Sequence, residues 1–429
     1  MELALFILFL LFMVIVGLPV AYSIIIASVS YLILTGQDVA LASEHLLSNT
    51  FNNFLLLSVP LFIFFANIMN ASQVTEKLLA FCLAVVGRVR GGLGHVNVIT
   101  SVIFSGMSGS AVADVAGIGK VIISMMNKSG SYSRGYAEAI TAASSTIGPI
   151  IPPSIPMVLY ALVSSSSIGY LFLGGIIPGL LMAVALMMIN SFIAKRRNFA
   201  VEEGVPIREL PKRTYQAFPA LIMPVILLYG IYGGVMTPTE AAAVASMYAL
   251  MVAVFLYRSL SVKSFYNAMV ESVHTSASTG LLICSALILN YIIVTENVPI
   301  TIYEMFSSIN ISPIQFLLMI NILILLLGFV LDASIIILVI IPLFIPIVKE
   351  MGIDLVHFGV VMVVNCMVGY ITPPYGIVLL VINNITKTPI GVIMREIYPF
   401  LAGLVFILIL LIFNPSLVLW LPKFFGYSG

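Results

Sequence analysis

The sequence is poor in charge. Asp, Glu, Lys and Arg make up 8% of its 429 residues, against about 25% in an ordinary soluble chain. Hydrophobic residues reach 61% and the mean hydropathy is +1.18. No water-soluble fold could cover that apolar surface, so the chain lies in a bilayer. A formal net charge of +1 gives no basic surface for nucleic acid. Cysteine is scarce too. Cys82, Cys284 and Cys366 are far apart in apolar runs, so there is neither a disulfide framework nor a CxxC metal site. The four histidines, His45, His95, His274 and His357, are scattered and form no HExxH. The N-terminus lacks a basic region and an AxA cleavage site, so ELALFILFLLFMVIVG reads as a first span rather than a removed signal peptide.

What is present is a long succession of apolar runs. A span needs about 20 apolar residues, so the length allows roughly ten helices with connections. The runs fall at 2–16, 18–35 and 54–71, then an amphipathic stretch at 74–90, then 93–127 broken at 105–110, 133–165 broken at 147–154, and 168–194. A polar loop, AKRRNFAVEEGVPIRELPKRTYQ, is the one long hydrophilic segment. The pattern then returns at 216–234, 237–257, 264–295, an amphipathic 298–310, 313–348 broken near 330, 357–385 broken at 369–375, and 389–413. Gly148, Pro152 and Pro153 come back as Gly369, Pro373 and Pro374, a shift of 221 positions; Lys128 and Pro178 come back as Lys349 and Pro399. Matching Gly/Pro-interrupted segments in two halves point to a transporter binding site.

If the broken runs at 93–127 and 313–348 are re-entrant hairpins, each half crosses the membrane five times. An odd number makes the halves an inverted repeat. With the central basic loop in the cytoplasm, all of the eighteen Lys and Arg residues except Lys349 and Lys423 fall on the cytoplasmic side, as the positive-inside rule requires. The two amphipathic stretches precede the hairpins and suit interfacial helices that hold a moving unit against a fixed frame.

Irregular backbone survives at membrane depth only where protein buries it or water reaches it. Four such places are expected to converge near the midplane: the hairpin tips at 105–110 and 328–334, and the unwound helix centres at 144–153 and 365–374. Free carbonyls there suit a hard cation such as Na⁺, and free N–H groups suit an anionic substrate. Ser105, Ser108, Ser110, Ser145 and Thr146 offer oxygens near the first tip; Asp332, Ser334 and Thr372 offer them near the second. Small Ser and Gly residues can also simply let helices approach closely. An aspartate at this depth is a functional candidate. Asp332 is read as an ion-site or tip-capping residue. Asp114 either joins the site, caps the second hairpin arm or pairs with Lys120. The repeat aligns Asp332 with Ala111, so Asp114 stays a candidate only.

SGMSGSAVADVAGIG, GPIIPPSIPMVLYA, SIGYLFLGGIIPGLLM, LDASIIILVIIPLFIP and GYITPPYGIVLLV, in this order, resemble the large membrane subunit of TRAP (tripartite ATP-independent periplasmic) transporters. The resemblance covers almost the whole chain. It implies an all-α polytopic membrane protein working as an elevator-type transporter in a bacterial inner membrane, non-enzymatic and without a covalent cofactor. Its implied partners are a small four-helix membrane subunit and a periplasmic substrate-binding protein that delivers an organic acid; Na⁺ drives uptake. It implies frame helices at 1–92, a transport half at 93–165, further frame at 166–312 with the cytoplasmic loop 195–215, a second transport half at 313–385, and a C-terminal helix at 386–429. Matched residue by residue, one Na⁺ site involves Ser105, Gly106, Ser108, Ser145, Thr146 and Gly148, and the other Gly328, Asp332, Gly369 and Thr372. The substrate is expected near Ser110, Pro149, Asn365, Pro373 and Tyr375.

The chain departs from the family pattern at Asp114, at Ala333, Ser334 and Ile335 after the hairpin aspartate, and at Tyr375 after the second Pro-Pro. These departures bear on the substrate: sialic acid (N-acetylneuraminate) suits the Ser-rich tip and Tyr375, and a C4-dicarboxylate is the other expectation. Two competing readings are an intramembrane serine protease, from GMSG at Gly106–Gly109, and a passive channel. The protease would need a histidine within hydrogen-bond reach of Ser108, and no histidine is expected mid-span.

Overall fold

The computed structural model describes residues 2–51, 54–72, 74–201, 206–308 and 311–429. These residues are helical, apart from turns and one isolated antiparallel bridge between Arg90 and Val201. Helix is the open-chain solution in lipid because it satisfies every backbone polar group within the segment.

The first half opens with α1 (Glu2–Ile15), α2 (Val20–Leu34), α3 (Ala40–Phe51), α4 (Ser58–Ala71) and α5 (Val74–Val86). It continues through α6 (Gly92–Ser108), a short α7 (Ala111–Asp114), a π-helical turn over Val115–Gly119, and α8 (Lys120–Ser129). Then come α9 (Arg134–Ser145), α10 (Ile155–Ser164) and α11 (Ile168–Arg196). The second half runs through α12 (Leu210–Tyr232), α13 (Pro238–Met251), α14 (Val262–Thr295), α15 (Val298–Ser308) and α16 (Pro313–Gly328). It goes on through α17 (Ala333–Ile335), a π-helical turn over Ile336–Ile340, α18 (Ile345–Glu350), α19 (Leu355–Gly369), α20 (Ile377–Thr386), α21 (Ile390–Phe413) and α22 (Ser416–Phe424).

The shift of 221 positions read from the prolines governs the secondary structure as well. The π-helical turns at 115–119 and 336–340 stand at that spacing. So do the Pro152–Pro153 and Pro373–Pro374 peptide bonds, both cis. One difference breaks the parallel. In the first half α3 and α4 are separate helices; in the second, α14 runs through the equivalent positions as a single helix of 34 residues. Sequence patterning missed α3, whose ALASEHLLSNTF lacks a continuous apolar run, and α22, which follows Asn414 and Pro415.

Among the described residues, six helices are long and apolar enough to cross a membrane unaided, including α11, α12, α14 and α21. The shorter apolar helices come in pairs across the breaks. Side-chain caps hold the starts of α9, α10, α13 and α16. Ser133 and Ser154 cap α9 and α10 by accepting from the N–H groups of Tyr136 and Met157. Thr237 with Glu240, and Ser312 with Gln315, form capping boxes on α13 and α16.

Two packed groups result. In one, α4 lies against α13 and α14, α12 against α5 and α13, and α2 against α1 and α14. In the other, α6 lies against α9 and α11, α9 against α21, and α16 against α19. α11 and α21 sit within this second group, touching α9 and α19. The groups meet where α4, α5 and α12 touch α6, where α4 touches α10, and where α14 touches α17 and the π-helical turn after it. Within the second group, Tyr160 of α10 lies over Gly359 of α19, where any Cβ would come within 2.2 Å of the ring. Its hydroxyl donates to the Leu355 carbonyl at 2.7 Å. That contact brings the two interrupted helices side by side.

Candidate functional site

The first tip is a turn between α6 and α7. Gly109 closes α6 at φ +58°, in the left-handed region, and a Cβ there would meet the Pro153 carbonyl oxygen at 2.6 Å. A Cβ on Gly106 would meet Pro224 of α12 at 2.5 Å. Both glycines therefore let the tip lie directly on its neighbours. Ser110 caps the outgoing arm by accepting from the Ala113 N–H at 3.3 Å. Asp114 is 1% exposed. The Ser108 hydroxyl donates to its Oδ1, while Oδ2 has no hydrogen-bond partner. That free oxygen faces the unwound segment: a Cβ on Gly148 would approach it to 2.7 Å and the Ser145 carbonyl oxygen to 3.1 Å. An unpartnered buried carboxylate oxygen is costly unless a cation or proton meets it.

A polar ladder runs down the hairpin from this point. Ser101 donates to Ser144 at 3.1 Å, Ser144 to Asn97 Oδ1 at 3.1 Å, and Asn97 Nδ2 to Thr141 at 2.6 Å. All four residues are buried, so the ladder fixes α6 to α9.

The second tip is built otherwise. A Cβ on Gly369 would come within 3.0 Å of the Gly328 backbone, so hairpin and unwound helix touch through two glycines. Asp332 caps the outgoing arm, its Oδ1 accepting from the Ser334 N–H at 2.8 Å. Its Oδ2 accepts from the Tyr370 hydroxyl at 2.7 Å, and that hydroxyl accepts from the Ala333 N–H at 2.7 Å. Tyr370 thus clamps the tip to the unwound segment.

Between the tips lies a cavity of about 300 Å³. Gly109, Ser110, Ala111 and Val112 line it from the first tip, and Asp332, Ala333 and Ser334 from the second. Pro149, Ile155 and Pro156 come from the first interrupted helix, Met367 and Tyr370 from the second, Ile63 from α4, and Thr275 and Thr279 from α14. The volume is at the lower end for small-molecule sites. The start of α10 and the starts of both outgoing hairpin arms face it. Helix N-termini present free N–H groups and favour negative charge; at the second arm the Ala333 and Ser334 N–H groups already meet Tyr370 and Asp332.

Of the residues singled out in sequence, Ser105, Gly106, Ser108, Ser145, Thr146 and Gly148 gather around the first tip and its unwound helix. Ser105, Ser145 and Thr146 turn their hydroxyls back to the carbonyls of Val102, Ala142 and Ala143. Gly328, Asp332, Gly369 and Thr372 belong to the second tip and its unwound helix; the Thr372 hydroxyl donates to the Val368 carbonyl at 2.7 Å. Ser110 and Pro149 line the cavity. Asn365 does not: its amide donates to Asn321 O and Oδ1, both at 2.7 Å. Pro373 and Tyr375 also stand outside the lining, and the Tyr375 side chain is 58% exposed.

Sequence reasoning missed Tyr370, Thr275 and Thr279, and left Asp114 undecided. The partner of Asp114 is Ser108 rather than Lys120, and Ser110 rather than Asp114 caps the arm. The same bond weighs against the protease reading. The Ser108 hydroxyl goes to an aspartate, while His95 meets Ser191, His357 meets the Leu411 carbonyl and His45 stacks on Tyr291.

Residues 6–417 match the family model described as "Tripartite ATP-independent periplasmic transporter, DctM component". The sialic acid TRAP transporter large permease protein SiaM of Vibrio cholerae is 39% identical over 414 residues, 96% of either chain. The C4-dicarboxylate TRAP transporter large permease protein DctM of Pseudomonas aeruginosa is 37% identical over 382 residues, 89% of either chain. Among solved structures, the Alcanivorax borkumensis YdaH transporter superposes with a TM-score of 0.64 at 16% identity, covering 89% of this chain and 88% of that one. That likeness concerns the fold alone.

Proposed function

The chain belongs to the DctM family, the large membrane component of TRAP transporters, and on that premise we propose that it imports a hydroxylated organic acid, N-acetylneuraminate, by Na⁺ symport. A C4-dicarboxylate is the second candidate, since relatives of similar identity carry that name. In this reading the chain sits in a bacterial inner membrane, with its basic loop in the cytoplasm and its halves inverted. It works with a small four-helix membrane subunit and takes its substrate from a periplasmic binding protein. The hairpins and interrupted helices move as a unit against the frame, in the manner of an elevator.

One observation carries the proposal: both tips and both interrupted helices converge on a single cavity lined by three helix starts. The N–H groups at Ala111 and Ile155 suit a carboxylate, and Ser110 and Ser334 suit hydroxyls. Na⁺ as the co-transported ion fits the first tip, where Asp114 Oδ2 is buried without a partner beside the Ser145 carbonyl. There Ser108 holds the aspartate in place while its second oxygen takes the ion. The loss of helical bonding over 146–154 leaves further carbonyls for the same ion. The second ion location is proposed at Gly328, Asp332, Gly369 and Thr372. An ion at either place bridges a tip to its unwound helix and so firms the wall against which the acid binds, which is how the gradient of one solute acts on the other.

Proteoliposomes holding the chain and its small subunit test this. Uptake of radiolabelled N-acetylneuraminate should require an inward Na⁺ gradient and the cognate binding protein. Uptake that persists when K⁺ replaces Na⁺ would remove the Na⁺ coupling.

A further inference from the structure

The first half of α14 shows three faces. Ala268 and Ser272 are buried, with Ser272 accepting from Asn67 of α4 at 2.9 Å. Val262, Tyr266, Met269 and Val273 form an exposed apolar stripe. Asn267, Glu271, His274, Thr275 and Ser278 form an exposed polar stripe. At 3.6 residues per turn the two exposed stripes lie on nearly opposite sides of the helix. One suits lipid. The other suits water, because charged and amide groups facing hydrocarbon are costly. The polar stripe ends where Thr275 and Thr279, one turn apart, enter the cavity between the hairpin tips. Its other end lies near the basic first turns of α12, which carry Lys212 and Arg213: the Tyr257 hydroxyl, in the link between α13 and α14, donates to the Gln216 carbonyl of α12 at 2.6 Å, and Arg258 and Lys263 follow.

We propose that this half of α14 is the fixed wall of the solute path. Thr275 and Thr279 position the bound acid through its hydroxyl and carboxylate groups, and the polar stripe carries a water-filled route from the cavity to the side of the basic loop. This rests on the transport function proposed above. It adds a frame helix to a site otherwise made by the hairpins, and it makes the described conformation the inward-open one. A threonine hydroxyl both donates and accepts, so the pair can serve a polyhydroxylated solute in more than one pose. Because α14 packs chiefly on α4 and meets the hairpin unit at the second outgoing arm, α17 and the π-helical turn after it, these contacts exist only while the tips stand opposite it. Affinity at the two ends of the stroke then differs by what the threonines contribute.

Two measurements test it. In the full complex, with Cys82, Cys284 and Cys366 replaced by alanine, single cysteines are placed at 275, 278, 269 and 273. They are exposed to a membrane-impermeant sulfonated methanethiosulfonate from the basic-loop side. Thr275→Cys and Ser278→Cys should react at least about tenfold faster than Met269→Cys and Val273→Cys, since only hydrated thiols ionise readily. Excess N-acetylneuraminate should slow the reaction at 275 more than at 278. Equal rates on both stripes would overturn the path. In uptake assays, Thr275→Ala with Thr279→Ala should raise KM about tenfold through two lost hydrogen bonds, with Thr275→Ser and Thr279→Ser restoring it. Unchanged KM in the alanine pair would overturn the positioning role. If wild-type uptake itself fails, the proposed function falls, while the labelling still decides whether the stripe is wet.

Discussion

At the first hairpin tip a buried aspartate has one oxygen held by Ser108 and the other unpartnered against Gly148. At the second, an aspartate has one oxygen on a backbone N–H and the other on the Tyr370 hydroxyl. The halves share their π-turns and their Pro-Pro bonds at a constant spacing, yet the carboxylates sit three positions out of register, at 114 and 332. A repeat can therefore keep its backbone while dividing labour between side chains. Asp114 keeps one buried oxygen without a partner, whereas both oxygens of Asp332 are met by groups of the protein.

The largest expected effect breaks this comparison or makes it. Asp114→Asn keeps the shape and removes the charge. Its loss should raise the Na⁺ concentration for half-maximal uptake about 100-fold, from about 3 kcal/mol of short-range attraction at an effective dielectric near 20. Asp332→Asn should raise it by no more than about tenfold, because an amide oxygen can still accept from Tyr370 or from the Ser334 N–H. Na⁺ titrations of uptake in proteoliposomes compare the two. The reverse order would exchange the roles of the tips.

Tyr370→Phe comes next. It leaves the Ala333 N–H without its acceptor and Asp332 without its donor, in a place that is buried. A buried donor left unmade costs about 1–3 kcal/mol. Lower thermal stability of the purified protein and a raised solute KM are expected, with a change in Na⁺ dependence no larger than that of Asp332→Asn. A shift confined to Na⁺ dependence would instead make Tyr370 part of an ion site. Gly148→Ala should act more mildly at the other tip. Its methyl would meet Asp114 Oδ2 at 2.7 Å and displace the carboxylate, for about a tenfold weaker Na⁺ response, of the order of one misplaced charge-assisted contact.

Much of this was legible in the sequence, and for a physical reason. Clusters of glycine, proline and serine inside apolar runs mark breaks in helices, so the four irregular segments and their spacing could be read from the sequence, although single residues such as Pro178 and Pro399 stand inside unbroken helices. The residues the repeat could not find are those without an equivalent. Tyr370 stands where the first half has Pro149, and Asp114 where the second has Ile335. Thr275 and Thr279 looked like ordinary hydroxyls in HTSASTG, because nothing in the sequence says which face of α14 meets a cavity. α3 escaped because its pattern is amphipathic without an apolar run, and its second-half equivalent is hidden inside one long helix.

The smallest expected effect concerns two tyrosines five positions apart, and it sharpens the contrast between a clamp and a bystander. Tyr375 drew attention because a bulky ring follows the second Pro-Pro. In the fold it is 58% exposed and outside the cavity lining, whereas Tyr370 is 5% exposed and holds the tip through its hydroxyl. Substitutions at exposed positions away from such features stay within about 0.5 kcal/mol. Tyr375→Phe should therefore change the KM for N-acetylneuraminate by no more than about twofold. Uptake kinetics of Tyr375→Phe and Tyr370→Phe measured side by side provide the check. If the exposed tyrosine proved the more costly to lose, the solute would have to reach past the tips to the far side of the second Pro-Pro, and the cavity between the tips would be only part of its site.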